Sequence, residues 1–206
     1  MATRTVYVVD DEEPIRGALR MMLRVQGYSV TLFSSGPAFL ETVESLVPGC
    51  LLLDVRMPDM DGIEVQRHLI ARQASLPVVV MTGHGDLAVA VSALQHGAAA
   101  FVEKPFAKAV LKRALERAFL QLENPDAFRA DVEASAGRVA GLGEAEREVL
   151  ARLAAGRSNE AIAADLATSV SVVEVRRARL FAALGVESVN EALTIAFDAG
   201  LGRPGD

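Results

Sequence analysis

This chain of 206 residues is predicted to carry an open, parallel α/β sheet followed by a small all-α bundle. Three observations predict this. Short Val- and Leu-rich runs alternate with amphipathic segments as far as Leu122, and a βαβα order gives a parallel sheet covered on both faces. The runs end in polar residues: Asp10-Asp11, Asp54, Thr82 and, after Glu103, Lys104. Beyond Leu142 every periodic segment has the helical period and none alternates as a strand does.

The first part divides into five strand–helix units. Strands are expected over Thr5–Val9, Tyr28–Phe33, Cys50–Leu53, Pro77–Met81 and Ala100–Val102, where β-branched and aliphatic residues cluster. The first helix, Glu13–Gln26, places Ile15, Leu19, Met22 and Leu23 on one face and stops at Gly27. The second, Ser35–Leu46, opens on a capping Ser, and the third, Asp61–Ala71, carries Ile63, Val65, Leu69 and Ile70. Asp86 caps the fourth, which runs to Gln95, and Phe106–Leu122 is the longest, burying Val110, Leu111, Leu115 and Phe119. Five such units in this order make a flavodoxin-like (βα)5 domain over residues 1–122.

Asn124-Pro125 breaks the last of these helices. Residues 123–141 hold little large apolar content and read as a linker, partly helical around Asp126–Ala134. Residues 142–206 then supply four short helices. Glu144–Leu153 ends before Gly156, and Asn159–Leu166 follows the capping Ser158. Val170–Leu184 lies between the capping Ser169 and Gly185, and Glu191–Ala199 stops at Gly200. A short helix, a brief turn and a second helix flanked by two more form a helix-turn-helix unit, whose second helix enters the DNA major groove.

Composition narrows the function. A formal net charge of −6 argues against a general polyanion binder. Residues 126–206 contain nine Arg, no Lys and thirteen acids, so any nucleic-acid contact there has to be local. The single Cys50 lies in an apolar run, which excludes a disulfide framework and suits a reducing cytoplasm. No signal peptide is expected, since Met1 leads quickly into a strand, and no membrane-spanning stretch of roughly 20 apolar residues is present. His68, His84 and His96 are too scattered for a zinc site. No Ser/His/Asp triad, Walker loop or dinucleotide fingerprint occurs.

The strand ends carry the chemistry. In an open α/β sheet, ligands bind beyond the carboxyl ends of the strands. Three acids, a hydroxyl and an ammonium gathered there suit Mg²⁺-dependent phosphoryl transfer, which needs positioning and charge stabilisation more than covalent work. Asp54 is the expected phosphoryl acceptor, forming an acyl phosphate. Asp10, Asp11 and Asp54 supply hard oxygens for Mg²⁺, with the Arg56 carbonyl completing the shell. Lys104 would pair with one phosphoryl oxygen while the Thr82 hydroxyl donates to another. A stand-alone enzyme is disfavoured, because no general base remains once the carboxylates hold metal. Beyond its own phosphoryl uptake and hydrolysis, no catalysis is expected.

Four motifs then support a family resemblance. They are Val8-Val9-Asp10-Asp11-Glu12-Glu13-Pro14, Leu51-Leu52-Leu53-Asp54-Val55-Arg56-Met57-Pro58-Asp59-Met60-Asp61-Gly62, Met81-Thr82-Gly83-His84-Gly85-Asp86 and Phe101-Val102-Glu103-Lys104-Pro105-Phe106. In these the N-terminal part resembles the receiver domain of two-component response regulators, with wording most like the FixJ branch. The resemblance implies that a sensor histidine kinase phosphorylates Asp54, that Thr82 moves toward the phosphate and that Phe101 turns inward. It further implies a homodimer formed on phosphorylation through the fourth-helix face, including Val91 and Leu94. His84 would tune hydrolysis, and Lys104-Pro105 would be a cis peptide.

Leu142, Glu146, Val149, Leu150, Gly156, Ser158, Asn159, Ile162, Leu166, Ser169, Val173, Leu184 and Gly185 make residues 142–206 similar to the LuxR/NarL-type output domain. The resemblance implies promoter DNA as the partner and Val172, Val173, Arg176, Arg177 and Arg179 as the contact residues. This chain departs from the family pattern at Gly143, Glu160, Val172, Arg176 and Ala183. Gly143 removes a helix cap worth typically about 1 kcal/mol. Two readings follow. One is a transcriptional regulator switched by phosphorylation of Asp54, and the other is a receiver whose degenerate output domain acts through protein contacts or as a phosphate sink.

Overall fold

The computed structural model describes residues 3–83 and 87–202. The chain forms two compact units. The first holds all five strands, β1 (Thr5–Val9), β2 (Ser29–Phe33), β3 (Cys50–Asp54), β4 (Val78–Thr82) and β5 (Ala100–Glu103). They pair in parallel in the order β2-β1-β3-β4-β5. Every residue of β3 and β4 is buried, while the edge strand β2 has none buried. This is why the central runs read as continuous Leu and Val: both faces of a parallel sheet are covered. The order reverses between β1 and β3, so the crevice opens where Asp10 and Asp54 emerge.

Helices α1 (Glu13–Val25), α2 (Gly36–Leu40), α3 (Gly62–Ala71) and α5 (Lys108–Glu123) belong to this unit. Leu19 and Leu23 of α1 and Leu111, Leu115 and Phe119 of α5 join Val6, Val8, Leu52, Val79 and Met81 in one apolar cluster. Asp61 closes a full capping box on α3: its side chain accepts from Glu64 N at 2.8 Å while Glu64 returns a contact to Asp61 N at 3.2 Å. The second helix is shorter than its sequence suggests, ending at Leu40 before a 3-10 turn at Val43–Ser45. Thr42 Oγ1 donates back to the Phe39 carbonyl and Ser45 Oγ to that of Thr42, contacts that compete with continued helix.

The second unit contains α4 (Leu87–Gln95), α6 (Pro125–Ala140), α7 (Glu144–Ala154), α8 (Asn159–Asp165), α9 (Val170–Leu184) and α10 (Val189–Asp198). Residues 123–141 are mostly one 16-residue helix, α6, more ordered than a partly helical linker. Pro125 starts it, since a missing N–H costs nothing in the first turn. Its fully buried Ser135 donates to the Asp131 carbonyl and lies 3.2 Å from Asp198 Oδ2, which fixes α6 against α10.

Helices α7 to α10 form the expected bundle. Ser158, Ser169 and Ser188 each cap a helix through the side-chain oxygen. Gly143 stands at the start of α7 without a side-chain cap. Gly185 ends α9 at φ 67°, a conformation that favours glycine. Val149, Leu150, Leu153, Ile162, Val173, Leu180, Leu184 and Leu193 fill the interior. Among the described residues no single helix is long and apolar enough to cross a membrane.

Candidate functional site

The carboxyl edge of the sheet gathers Asp10, Asp54, Thr82 and Lys104. Asp10 is fully buried, and Asp54 and Thr82 are 6% and 2% exposed. Lys104 Nζ lies 2.8 Å from Asp10 Oδ2 and 2.7 Å from Asp54 Oδ1. One ammonium therefore serves two buried carboxylates. The strand register explains the convergence: Asp54 pairs with Met81, so Thr82 follows one step later and its carbonyl accepts from Lys104 N at 2.8 Å. The Lys104-Pro105 peptide is cis.

The electrostatics follow from this sharing. Burial pushes the Asp54 carboxyl above its ordinary range; Lys104 pulls it back and the charges of Asp10 and Asp11 push it further up. Burial also pulls Lys104 down, but its bonds and attraction to Asp10 and Asp54 together leave it raised. Both partners of one ion pair are thus raised. At Asp54 burial outweighs a cation it shares with Asp10, while at Lys104 two anions outweigh burial.

Asp11 and Arg56 are exposed at the rim. Phe101, on β5 opposite Val80, is already buried at 5% exposure. His84 and Asp86, the expected cap of the fourth helix, lie outside the described residues. Among the described residues no three His, Cys, Asp or Glu side chains stand as a group that could hold a metal ion. Two positioning contacts were not evident in the sequence. Arg16 Nη1 donates to the Asp10 carbonyl at 2.7 Å, and Glu12 N donates to Asp10 Oδ1 at 2.9 Å. An arginine in the opening turns of a helix opposes the helix dipole, and that oddity was the available signal.

Val91 and Leu94, expected on a dimer face, are buried at 6% and 8% exposure on α4, which packs on α10.

Helix α9 sorts its residues by depth. Val173 is fully buried, which corrects its assignment as a DNA contact: it is a core residue, on the face shared with Leu180 and Leu184. Arg177 is half-buried, donating to Asn159 Oδ1 at 2.8 Å and lying 5.5 Å above the Phe181 ring. Arg176 stands 3.9 Å from Glu148. Arg179 and Val172 are exposed. Glu160 sits in the first turn of α8 and interacts with Ser158, and its carboxyl is held below the usual range by backbone and Ser158 hydrogen bonds. An acid there suits the helix dipole.

Arg177→Ala is therefore expected to act on stability, costing about 2 kcal/mol through a charged hydrogen bond and a cation–π contact. Urea unfolding checks this. An unchanged midpoint would mean that the Asn159 and Phe181 contacts contribute nothing.

Known proteins resemble both halves. A family model of the response regulator receiver domain matches residues 6–116, and one of the bacterial regulatory proteins of the luxR family matches residues 140–196. The transcriptional regulatory protein FixJ of Rhizobium meliloti (strain 1021) is 40% identical over 98% of this chain and 99% of its own. The response regulator protein TmoT of Ectopseudomonas mendocina is 36% identical over 92% of this chain and 86% of its own. The crystal structure of full-length FixJ from B. japonicum, 38% identical, superposes with a TM-score of 0.59 over 97% of this chain and 98% of that one. A buried acidic pocket at the carboxyl edge of a β2-β1-β3-β4-β5 sheet, a capped helix-turn-helix and these matches lead to one conclusion: the chain belongs to the response regulators that join a receiver domain to a LuxR-family regulatory domain, as FixJ does.

Proposed function

We propose that this protein accepts a phosphoryl group on Asp54 from a sensor histidine kinase, dimerises and binds promoter DNA to control transcription. The observation that carries the reading is Asp54 itself, held at the end of β3 with Lys104 Nζ 2.7 Å from its carboxylate. In the transfer, the N–P bond of the kinase phosphohistidine breaks and an O–P bond forms at the Asp54 carboxylate, leaving an acyl phosphate. Lys104 then turns from a carboxylate oxygen to a phosphoryl oxygen, and the Thr82 hydroxyl donates to another. We assign 1–122 to the receiver, 123–141 to the linker and 142–206 to the output domain, with α4 and α6 grouped in the second compact unit.

Mg²⁺ is the proposed cofactor. Its donors would be Asp10, Asp54, Asp11 turned inward from the rim, and the Arg56 carbonyl. Two buried carboxylates that share one ammonium remain short of positive charge, which is the environment a hard cation favours. When bound, the metal would neutralise charge on the transferring phosphoryl group.

Val91 and Leu94 are buried on α4, so dimerisation through them would require that face of α4 to open. Phosphorylation would supply the bias, since it draws Thr82 and Lys104 toward the new phosphate. A cytoplasmic location fits the lone buried Cys50. Hydrolysis of the acyl phosphate, which resets the switch, is the catalysis the protein would perform on itself.

Lys104→Ala tests the pocket. It leaves two buried carboxylates without their cation, so a stability loss of about 3 kcal/mol is expected at neutral pH. The loss should shrink in acid as Asp54 takes up a proton. Phosphorylation should be partly retained while coupling to output is weakened. Urea unfolding at two pH values, with DNA binding of the phosphorylated variant, measures both, and unchanged output would refute the coupling.

The function as a whole is tested with a randomised duplex pool offered to the full chain, with and without acetyl phosphate and Mg²⁺. Enrichment of a palindromic site only by the phosphorylated protein is expected. A protein that is phosphorylated but enriches nothing would instead be a receiver with a degenerate output domain, a reading favoured by the engagement of Arg177 within the bundle.

A further inference from the structure

The solvent face of α9 is poor in charge for a surface that must meet DNA. Ser171, Val172, Glu174, Val175, Ala178, Arg179, Ala182 and Ala183 are exposed on it. Val172 and Val175 are 40% and 52% exposed, two of the few large apolar side chains left open to water among the described residues. The helical period sets Val175 about 200° from buried Val173, and Ala178 about 200° from buried Leu180, so they lie along the middle of the outward face. Of the three arginines, Arg177 is bound to Asn159 and Phe181 and Arg176 leans toward Glu148. That leaves Arg179 toward the C-terminal end of the strip, about 40° round the helix from Val175, while the exposed Glu174 on the opposite flank repels phosphate.

A recognition helix with these residues has few donors for guanine or adenine. What it offers is methyl groups at a fixed spacing. In the major groove, the base feature that rewards an apolar side chain is the C5-methyl of thymine.

Resting on the proposal that α9 binds promoter DNA, we propose that Val175, flanked by Val172 and Ala178, reads thymine methyl groups, and that these contacts rather than arginine–guanine bonds carry most of the sequence discrimination. The acidic balance of the half that contains α9, nine Arg against thirteen acids over residues 126–206, fits this role. With little phosphate neutralisation to supply nonspecific affinity, more of the binding must come from matched apolar contact in the groove. Arg179 would position the helix on the backbone, so Arg179→Ala should weaken all sites alike and lower the salt slope by about one.

The test uses the full chain, phosphorylated with acetyl phosphate, and the duplex enriched from the random pool. Each thymine in a half-site is replaced in turn by deoxyuridine, which keeps base pairing and removes only the methyl. At one or more positions affinity should fall about fourfold, the effect of withholding one methyl from burial. Val175→Ala, an exposed change to the best helix former, should keep the fold and reduce that discrimination to within twofold. If every deoxyuridine duplex binds as well as its parent, or if Val175→Ala leaves the discrimination intact, the inference fails while the regulator reading stands. A phosphorylated protein that enriches no duplex overturns both. Apolar contact with a protein partner at α9 would then be the use of this face.

Discussion

Asp54→Asn should abolish phosphoryl uptake and leave the protein folded. The amide offers no carboxylate oxygen to attack phosphorus, so incorporation from acetyl phosphate, read by intact mass, should drop to background. Duplex enrichment should be lost with it. Labelling that persists in the variant would move the acceptor to another residue. A second consequence concerns stability. Burial raises the Asp54 carboxyl above its ordinary 3.8, so ionising it costs more in the fold than in the unfolded chain. A raised carboxyl contributes stability that is present below the unfolded value and lost as pH rises through the folded value. The Asn variant has no such loss. Its stability relative to wild type should therefore rise as pH climbs from 3.8 through the folded value of Asp54, then level off. Urea midpoints across that window give the answer. A difference that is flat with pH would show that the pocket does not disfavour the ionised form.

Gly62→Ala should damage both fold and site. A Cβ at Gly62 would overlap the Asp54 carbonyl oxygen and come within 2.9 Å of Val55 Cα. These are backbone atoms at the end of β3 and cannot rotate aside. Gly62 N also donates to the Val55 carbonyl at 2.9 Å, holding the start of α3 against that strand. Relief requires the strand end to shift and Asp54 to shift with it. Overpacking of this kind costs about 2 kcal/mol or more. A displacement near one ångström at a reacting group can lower a rate on the order of a hundredfold. Urea unfolding and the rate of uptake from acetyl phosphate measure the two effects. Wild-type values for both would mean the β3–α3 loop yields without moving Asp54.

The receiver pocket was legible because its logic is one-dimensional. A buried parallel strand is an unbroken apolar run, and the first polar residue after it must emerge at the sheet edge. Asp10, Asp54 and Thr82 could be placed on that rule alone, and Lys104 one residue beyond Glu103. The contacts of Arg16 with the Asp10 backbone could not, since they depend on how the first turn of α1 meets the loop. Nor could the early end of α2, which Thr42 and Ser45 decide through local bonds to the main chain.

Helix α9 was the hardest segment to read. Valines at 170, 172, 173 and 175 and arginines at 176, 177 and 179 put both residue types on every side, so no amphipathic stripe marks an inner face. The sequence itself determined that this segment is a helix, through the capping Ser169 and the terminal Gly185. It also determined the parallel sheet, the acidic pocket and the order of the two folds, because caps, strand runs and chain-end polarity act over a few neighbouring residues. Only the tertiary structure decided that Val173 is core while Val172 and Val175 face outward, that Arg177 is spent on Asn159 and Phe181, and that one ammonium serves two aspartates. Each of those depends on which distant element arrives opposite a side chain. Burial and pairing are properties of that encounter, and no local pattern in the chain encodes them.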